Sequence, residues 1–357
     1  MKTYILFLIK LHLRSFLFVL FVASILILIL NILTELDFFS DLDISLKFII
    51  YLSLLNLPNL IFEMFPFIFL ISTQLFFINL FTNNEMLIFK YFGLKNTKII
   101  SIIAVFSFIL SLIITIFFYN FSSNLQNYYL ELKSKYASDG KYLAVITNNG
   151  LWIKDEFEES YNIINAEKIE ENKLINVFIS EFNKDFVLKK NINSELVDIS
   201  ENNWKIYNPK IFEEKKNYEL DETVFKTNFN YNKIKNLFSN LASLNLIELL
   251  KLRKNYMSIN YSIIEIDMQI FKILTYPLYL VFMSILASII MFTIKPIAGN
   301  GAKISIGLLF SVVIYYINNV FYVMGNTEKL SLTISILAPL IMLAFLNYIL
   351  IFRINEK

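Results

Sequence analysis

The sequence predicts a polytopic α-helical membrane protein of six transmembrane helices, arranged three plus three around an inserted, β-jelly-roll-like domain. Three observations lead to this fold class. Hydrophobic residues make up 56% of the 357 residues and charged residues only 17%, and the mean hydropathy is +0.57. The apolar residues are gathered into runs long enough to cross a bilayer. One long polar region separates these runs into two groups of three.

Three apolar runs precede the polar region. Residues 15–33 contain no charged residue and, at about 1.5 Å of rise per residue, match the thickness of the hydrocarbon core. Residues 44–81 are too many for one perpendicular helix, so we interpret residues 44–57 as an interfacial segment and begin the span near Pro58. The third run covers residues 99–121.

Three further apolar runs follow the polar region, at residues 273–294, 304–324 and 330–352. They complete the six predicted spans. The predicted domains are the first three spans, the polar insert and the last three spans, at residues 1–119, 120–269 and 270–357.

The short loops between the spans carry unequal numbers of Lys and Arg. One side of the membrane carries ten of these residues: Lys2, Lys10, Arg14, Lys90, Lys95, Lys98, Lys295, Lys303, Arg353 and Lys357. The short loops of the other side carry only Lys47 and Lys329. Since Lys and Arg accumulate in cytoplasmic loops, both termini are predicted to be cytoplasmic, and residues 120–269 are predicted to lie on the opposite side.

The polar insert is predicted to be rich in β-strands. Asn149 and Gly150 supply the positive φ angles of a tight hairpin between two short β-prone segments. Further short segments alternate apolar and polar residues with turn residues between them, which is typical of an antiparallel sandwich or an open jelly roll. Near the end of the insert, Asn245 with Glu248 three residues later predicts a capping box that opens a helix.

The residue inventory excludes several kinds of chemistry. The chain has no Cys, which removes disulfides and thiol catalysis, and its single His, His12, leaves no multi-histidine metal site. It contains no phosphate-binding glycine loop and no nucleophile elbow, and its net charge of +2 is too small to favour nucleic acid. We therefore predict no catalytic residue and no bound metal, and we interpret His12, beside Lys10 and Arg14, as an interfacial anchor.

The loop between spans two and three, residues 83–96, is predicted to contain a short cytoplasmic helix. Asn83 or Asn84 can cap it, Glu85 stands in its first turn, and Gly93 can end it in a left-handed conformation. Its apolar face is formed by three bulky residues at a spacing of three: Met86, Phe89 and Phe92. This form fits a docking element for a cytosolic partner, or an interfacial turn that holds aromatic side chains in lipid.

Two groups of residues resemble the family of lipopolysaccharide export permeases of the LptF/LptG type. In that family the second span contains two prolines, here Pro58 and Pro66, and the following loop carries an acidic residue and a glycine, here Glu85 and Gly93. Residues 150–155 are similar to the family's Gly-Leu-Trp-x-Lys-Asp pattern, which favours the LptG member. The resemblance extends over nearly the whole chain.

The resemblance implies a permease subunit of an ABC-type lipopolysaccharide exporter in the inner membrane of a Gram-negative cell. Such a subunit extracts lipopolysaccharide from the outer leaflet of that membrane and passes it to a periplasmic bridge. The implied partners are an LptF-like paralogous permease, an LptB ATPase dimer, LptC and periplasmic LptA, together with membrane lipids. ATP and magnesium bind to the ATPase, so the resemblance implies no cofactor on this chain, and no nucleic acid as a partner.

The same resemblance implies three sets of site residues. Coupling to the ATPase is assigned to Glu85, Phe89, Phe92 and Gly93. A periplasmic hairpin is assigned to Gly150, Trp152, Lys154 and Asp155. The candidates for the substrate cavity are Leu30, Thr34, Lys47, Tyr316, Asn318 and Asn319. Asn318 and Asn319 face either that cavity or a neighbouring helix to which they hydrogen-bond.

The outer end of span one departs from the family pattern. Family members often place Lys or Arg there, where they can meet lipid A phosphates, whereas this chain has Thr34, Glu35 and Asp37. Either the partner subunit supplies the cations, or the substrate has fewer or masked phosphates. Glu63 and Lys272 lie near the outer ends of their spans, where an ionisable group is either functional or extended to the interface.

Three alternatives are compatible with the same residues. A permease of another lipid or lipoprotein exporter would share the hydrophobicity, although many of those have four spans. A membrane-embedded glycan-modifying enzyme would need a charged cluster in an outer loop, for which the acids within residues 35–43 are the only candidates. A non-transporting scaffold with a periplasmic β domain would need no ATPase at all.

Overall fold

A computed structural model of the chain describes residues 3–40, 42, 44–134, 136, 151–157, 160–170, 172–184, 186–213, 216–231, 234, 240–258, 261–293 and 299–355. The chain divides into two compact units. Unit 1 consists of Met1–Gln126 and Ile264–Lys357, and unit 2 consists of Asn127–Ile263.

The helices alternate with one block of strands. In chain order they are α1 Thr3–Phe38, α2 Leu46–Thr82, α3 Glu85–Tyr91, α4 Asn96–Ile113, α5 Tyr119–Ser134, α6 Leu246–Ser258, α7 Ile264–Thr293, α8 Asn300–Asn326 and α9 Leu332–Asn355. A π-helical turn, Ile114–Phe118, joins α4 to α5 without a break. Within the described ranges six helices are long and apolar enough to cross a membrane, with α4 and α5 counted as one. Three precede and three follow the strands, which confirms the predicted spans.

α2 runs without a break through both of its prolines, Pro58 and Pro66. The interpretation of residues 44–57 as a separate interfacial segment was therefore wrong. A proline removes one backbone hydrogen bond, but neighbouring helices compensate this loss inside a membrane protein. α2 has that support, because it packs against α1, α7 and α8. Within its apolar 18-residue stretch, 72% is buried inside the protein.

α2 and α7 form the centre of unit 1, whereas α1 and α8 lie on its flanks. α7 packs against α2, α4, α8 and α9. Of the apolar 18-residue stretches of α1 and α8, only 17% and 11% are buried inside the protein, so most of their large side chains face outward. Lipid or a second membrane subunit can cover such surfaces.

His12 lies in the interior of unit 1 rather than on its surface. Its side chain is fully buried, and the rings of Phe76 and Phe106 meet it edge-on. Its Nε2 lies 3.1 Å from the Thr73 hydroxyl oxygen, and because that hydroxyl donates to the Phe69 carbonyl oxygen, His12 is the donor of this bond. The expected interfacial anchor was wrong, since this face of α1 points at α2 and α4.

Unit 2 contains an antiparallel sheet. Its strands are β1 Leu151–Phe157, β2 Ser160–Glu170, β3 Lys173–Phe182, β4 Leu188–Asp198, β5 Asn203–Tyr207, β6 Lys210–Glu213, β7 Lys216–Glu219 and β8 Glu222–Lys226. The order across the sheet is β1-β2-β3-β4-β5-β8, with β6 paired to β4 and β7 paired to β6. This confirms the predicted β-rich insert, while the predicted turn at Asn149 and Gly150 lies outside the described residues.

The two edges of this sheet approach one another. Asp155 on β1 accepts a hydrogen bond of 2.6 Å from the Thr227 hydroxyl, which directly follows β8, although β1 and β8 are at opposite ends of the strand order. A flat sheet would hold these strands about 24 Å apart, at roughly 4.8 Å per strand. The sheet therefore curves around its buried core, as in a jelly-roll-like domain. That core includes Trp204, whose indole N–H donates to the Phe229 carbonyl oxygen at 2.8 Å.

The helix after the sheet begins at the predicted capping box. The Glu248 N–H donates to Asn245 Oδ1 at 3.0 Å, and the Asn245 N–H donates to Glu248 Oε2 at 2.9 Å. This reciprocal pair satisfies two backbone donors at the start of α6, so the prediction is confirmed.

Candidate functional site

The ends of α3, the short helix between the second and third spans, are set by backbone conformation. Asn84 precedes α3 with a φ of 59° and makes no side-chain cap hydrogen bond, so the predicted side-chain cap was wrong. Its carbonyl oxygen accepts from the Leu87 N–H at 3.2 Å. Gly93 has a φ of 73°, and the left-handed end predicted there is confirmed.

Of the three residues predicted to form the apolar face of α3, two pack inward and one is exposed. Met86 is buried, and Phe89 packs with it, its ring centre 6.2 Å from that of Phe7. Phe92, by contrast, is 85% exposed, and Tyr91 is 89% exposed. Phe92 follows the last helical residue, where the chain has begun to turn, so a spacing of three no longer places it on the inward face.

The outward side of α3 is therefore apolar. Four large exposed side chains form what we call the α3 surface: Leu87, Ile88, Tyr91 and Phe92. An open depression follows it directly and is lined by Gly93, Leu94, Lys95, Thr97, Lys98 and Ser101. Its two lysines place positive charge beside the apolar side chains. Such a surface suits a protein partner with an apolar centre and an acidic edge.

Glu85 lies in the first turn of α3 and is partly exposed. Its Oε2 atom is enclosed and has no hydrogen-bond partner among the residues that the structure describes. An Arg or Lys side chain of a partner can approach this partly exposed residue from outside and donate a strong hydrogen bond to its carboxylate. Glu85 is therefore suited to receive a cation from a partner, whereas Phe89 anchors the helix and Gly93 ends it.

Five of the six predicted cavity residues lie on α1 and α8, the flanking helices of unit 1, and Lys47 lies at the start of α2. All six are wholly or partly exposed: Leu30, Thr34, Lys47, Tyr316, Asn318 and Asn319. The first two are on α1, which packs against α2 and α4, and the last three are on α8, which packs against α2, α7 and α9. The main helix contacts thus leave these two groups on separate surfaces of the chain.

The spans have an insert end, where the chain enters and leaves unit 2, and an opposite terminus end. Glu35, at the insert end of α1, is only 1% exposed. It is one turn from Asn31, whose amide donates to the Ser53 carbonyl oxygen at 3.0 Å and accepts from the Asn56 amide at 3.3 Å. The face of α1 that carries Glu35 thus packs against α2, so Glu35 is not one of the exposed acids at this end of the spans.

Aromatic side chains position Glu63 and Lys272 at the insert end. Tyr276 stacks on Phe62 with ring centres 4.6 Å apart, and its hydroxyl donates to the Phe62 carbonyl oxygen. This contact joins α7 to α2 at Phe62, the residue before Glu63. Lys272 is one turn from Tyr276, and its Nζ lies 5.0 Å from the centre of the Tyr322 ring on α8.

Sequence reasoning missed a buried polar contact between α2 and α8. Gln74 is fully buried, and its Nε2 donates to the Lys303 carbonyl oxygen at 2.8 Å. A Cβ atom at Gly307 would lie 2.3 Å from that Nε2, so glycine is what leaves room for the amide. The available signal was one Gln within an apolar span and one Gly within another.

The predicted hairpin residues of unit 2 that lie on β1 have different surroundings. The Lys154 N–H donates to the Tyr261 hydroxyl oxygen at 3.0 Å, and its Nζ lies 5.4 Å from the centre of the Tyr161 ring. Burial raises the pKa of Tyr261, which keeps that phenol neutral at physiological pH. Trp152 is 57% exposed, and Gly150 lies outside the described residues.

Replacing Asp155 with alanine is expected to destabilise unit 2 by about 2–4 kcal/mol. Asp155 is 1% exposed and accepts from Thr227 Oγ1 at 2.6 Å and from Asn228 Nδ2 at 3.0 Å, so its removal leaves buried donors unsatisfied. Limited proteolysis of the full-length protein in detergent should then cut residues 160–258 about 10-fold faster or more. Glu195→Ala, an exposed carboxylate on β4, is the matched control, and equal cleavage of the two variants would contradict this role.

The described residues contain no group of three or more His, Asp and Glu side chains that could hold a metal ion. Their distinctive features are six spans, outward apolar flanks, an inserted β unit and an apolar loop helix, which define a polytopic membrane protein with an inserted antiparallel sheet.

The sequence matches the family described as lipopolysaccharide export system permease LptF/LptG over residues 6–353, and the chain belongs to that family. A comparison with curated protein sequences gives no match. The family match makes this chain a lipopolysaccharide export permease, a transport subunit of the inner membrane.

Proposed function

We propose that this chain is the LptG-type permease of an ABC-type exporter, which extracts lipopolysaccharide from the outer leaflet of the inner membrane and passes it to a periplasmic bridge. ATP is hydrolysed in a partner subunit. The observation that carries the proposal is the α3 surface, an exposed apolar patch between two spans, with Glu85 in its first turn and Lys95 and Lys98 beyond it. A cytosolic ATPase dimer that binds this surface can transmit its own closing motion to α2 and α4, the two spans that α3 connects.

The outward flanks of unit 1 support a pair of permeases. α1 and α8 expose apolar side chains along most of their length. In a heterodimer with an LptF-like paralogue, α1 of one subunit and α8 of the other form the two sides of each lateral opening. Leu30 on α1 and Tyr316 on α8, which are 64% and 63% exposed, are then available to acyl chains that enter from the bilayer.

The positive-inside distribution of Lys and Arg supports cytoplasmic termini and a cytoplasmic α3. Unit 2 is then periplasmic. Its curved antiparallel sheet suits the first member of a chain of similar domains, continued by LptC and LptA. The insert end of the spans corresponds in this arrangement to the outer leaflet, from which lipopolysaccharide is taken.

Affinity purification of the full-length chain from detergent-solubilised membranes should recover a second six-span permease and an ATPase dimer. Glu85→Lys should lower the recovered ATPase, or its stimulation by lipopolysaccharide, about 10-fold, because it places a cation against the partner's cation. Glu85→Ala tests the loss of the carboxylate, and Lys90→Ala, an exposed residue of the same helix, is the matched control. Recovery of the chain alone, or only with periplasmic proteins, would overturn the exporter proposal.

A further inference from the structure

A cation and an anion lie near each other at the insert end of unit 1 without pairing. Lys272 lies one turn before Tyr276 on α7, and Tyr276 stacks on Phe62, the residue before Glu63 on α2. No ion pair of the described residues joins Lys272 to Glu63, however, and both side chains are exposed. The Lys272 ammonium contacts the Tyr322 ring instead, at 5.0 Å from its centre. An unpaired acid and base at the edge of a membrane are candidates for binding charged groups of a ligand.

The positions of both charges are fixed by packing. The Tyr276–Phe62 stack lies one turn from Lys272 and directly beside Glu63. The rings of Phe67 and Tyr315, whose centres are 5.9 Å apart, hold α8 against α2. This contact lies one turn from Glu63 on α2 and two turns from Tyr322 on α8. Because these aromatic contacts are made within the chain, the two charges are arranged before any ligand arrives, which lowers the entropic cost of binding.

Polar side chains adjoin the two charges. The Tyr322 hydroxyl donates at 3.5 Å to Oε1 of Gln269, a buried residue of α7 that lies one turn before Lys272. Asn318 is partly exposed and lies one turn from Tyr322 on α8. We call the five residues concerned the Lys272–Glu63 surface: Glu63, Gln269, Lys272, Asn318 and Tyr322.

The surroundings of this surface are acidic. Five acids of unit 1 are described as wholly or partly exposed at the insert end: Asp37, Glu63, Glu265, Asp267 and Glu328. Three bases are described there: Lys47, Lys272 and Lys329. Such an excess of negative charge repels a group that carries several bare phosphates. A ligand that brings one anionic group together with a positive charge matches both Lys272 and Glu63.

We propose that the Lys272–Glu63 surface binds a phosphate group that carries a primary amine, with the phosphate on Lys272 and the ammonium on Glu63. The exporter then prefers lipopolysaccharide whose lipid A phosphates are capped by an amine-bearing group over lipopolysaccharide with bare phosphates. The identity of the lipid rests on the proposed function. The same phosphate–amine chemistry occurs in a zwitterionic phospholipid headgroup, so the experiment has one arm for each source.

The first arm compares two lipopolysaccharides on the full-length chain, purified with its accompanying subunits and placed in phosphatidylglycerol nanodiscs. One carries phosphoethanolamine on its lipid A phosphates and the other carries bare phosphates. Bound lipid is counted by native mass spectrometry. The wild type should retain the capped form about 10-fold better, and Glu63→Gln should bring that ratio close to 1. Lys272→Gln should weaken retention of both forms. Lys329→Gln, an exposed base at the same end, and Glu195→Gln, an exposed carboxylate of unit 2, should change neither.

The second arm replaces phosphatidylglycerol with phosphatidylethanolamine in the nanodiscs. Loss of capped lipopolysaccharide there assigns the surface to the phospholipid headgroup, and undiminished retention assigns it to the lipopolysaccharide. Equal retention of the two lipopolysaccharides by the wild type, or a preference that survives Glu63→Gln, would overturn the inference. If no lipopolysaccharide binds at all, the proposed function fails. In that case retention of phosphatidylethanolamine still tests the surface, because both variants must reduce it.

Discussion

Changing Tyr91 and Phe92 together to aspartate is expected to lower the ATPase that co-purifies with the full-length chain by at least about 10-fold. The two side chains are 89% and 85% exposed and adjacent, at the end of a helix that is fixed by Gly93. Exposed aromatic side chains at a protein interface usually fill pockets of the partner and carry much of the binding energy. Aspartate removes that apolar contact and also places a charge where it would lose its water.

Three variants separate docking from folding in this experiment. Lys90→Ala alters an exposed polar residue of the same helix and should leave ATPase recovery unchanged. Phe89→Ala removes a ring that packs inward against Phe7, so it should reduce the yield of the folded chain rather than its affinity for the ATPase. Full ATPase recovery with the Tyr91 and Phe92 double variant would show that the partner does not use the α3 surface.

The spans could be predicted from the sequence because a bilayer imposes length and hydrophobicity together. Runs such as residues 15–33 and 99–121 satisfy both conditions and lie within α1 and the α4–α5 helix. The start of the second span was predicted wrongly at Pro58 because that prediction depended on local sequence alone. Local sequence marks proline as a break, whereas the packing of α2 between α1, α7 and α8 supports a continuous helix of 37 residues.

Local signals identified the boundaries of several elements correctly. Asn245 and Glu248 form their capping box, and Gly93 adopts a positive φ, because the chemistry of each lies within four residues. Side-chain surroundings were harder to predict. His12, which the sequence places beside two cations, points instead at Thr73 on α2, since the direction of a helix face depends on which helices pack against it.

In the candidate sites, too, local sequence predicted where residues lie on their elements but not what surrounds their side chains. The position of Glu85 in the first turn of a loop helix could be predicted from sequence, but the exposure of Phe92 could not, because it depends on where α3 ends. Lys272 and Tyr322 are 50 positions apart in the chain numbering and meet only because α7 and α8 pack side by side. No pattern of spacing in a single sequence reports such a contact.

Gly307→Ala is expected to destabilise unit 1 by about 2–4 kcal/mol, although alanine favours helices over glycine. The new Cβ would lie 2.3 Å from Gln74 Nε2, so the amide must leave its 2.8 Å hydrogen bond to the Lys303 carbonyl oxygen. Gln74 is fully buried, and a displaced amide has no water to replace that acceptor. The rate of irreversible thermal inactivation in detergent should rise accordingly.

Gly301→Ala is the matched control. Gly301 lies on the same helix as Gly307, and a Cβ atom there would meet no other atom within 4 Å. It should leave stability unchanged or raise it by up to about 1 kcal/mol through helix propensity. The decisive variant combines Gly307→Ala with Gln74→Ala. If the clash with the amide is the cause, the pair should be more stable than the sum of the single changes predicts, by about 1–3 kcal/mol. Strict additivity would mean that Gly307 is needed for another reason, and the contact between α2 and α8 would not depend on Gln74.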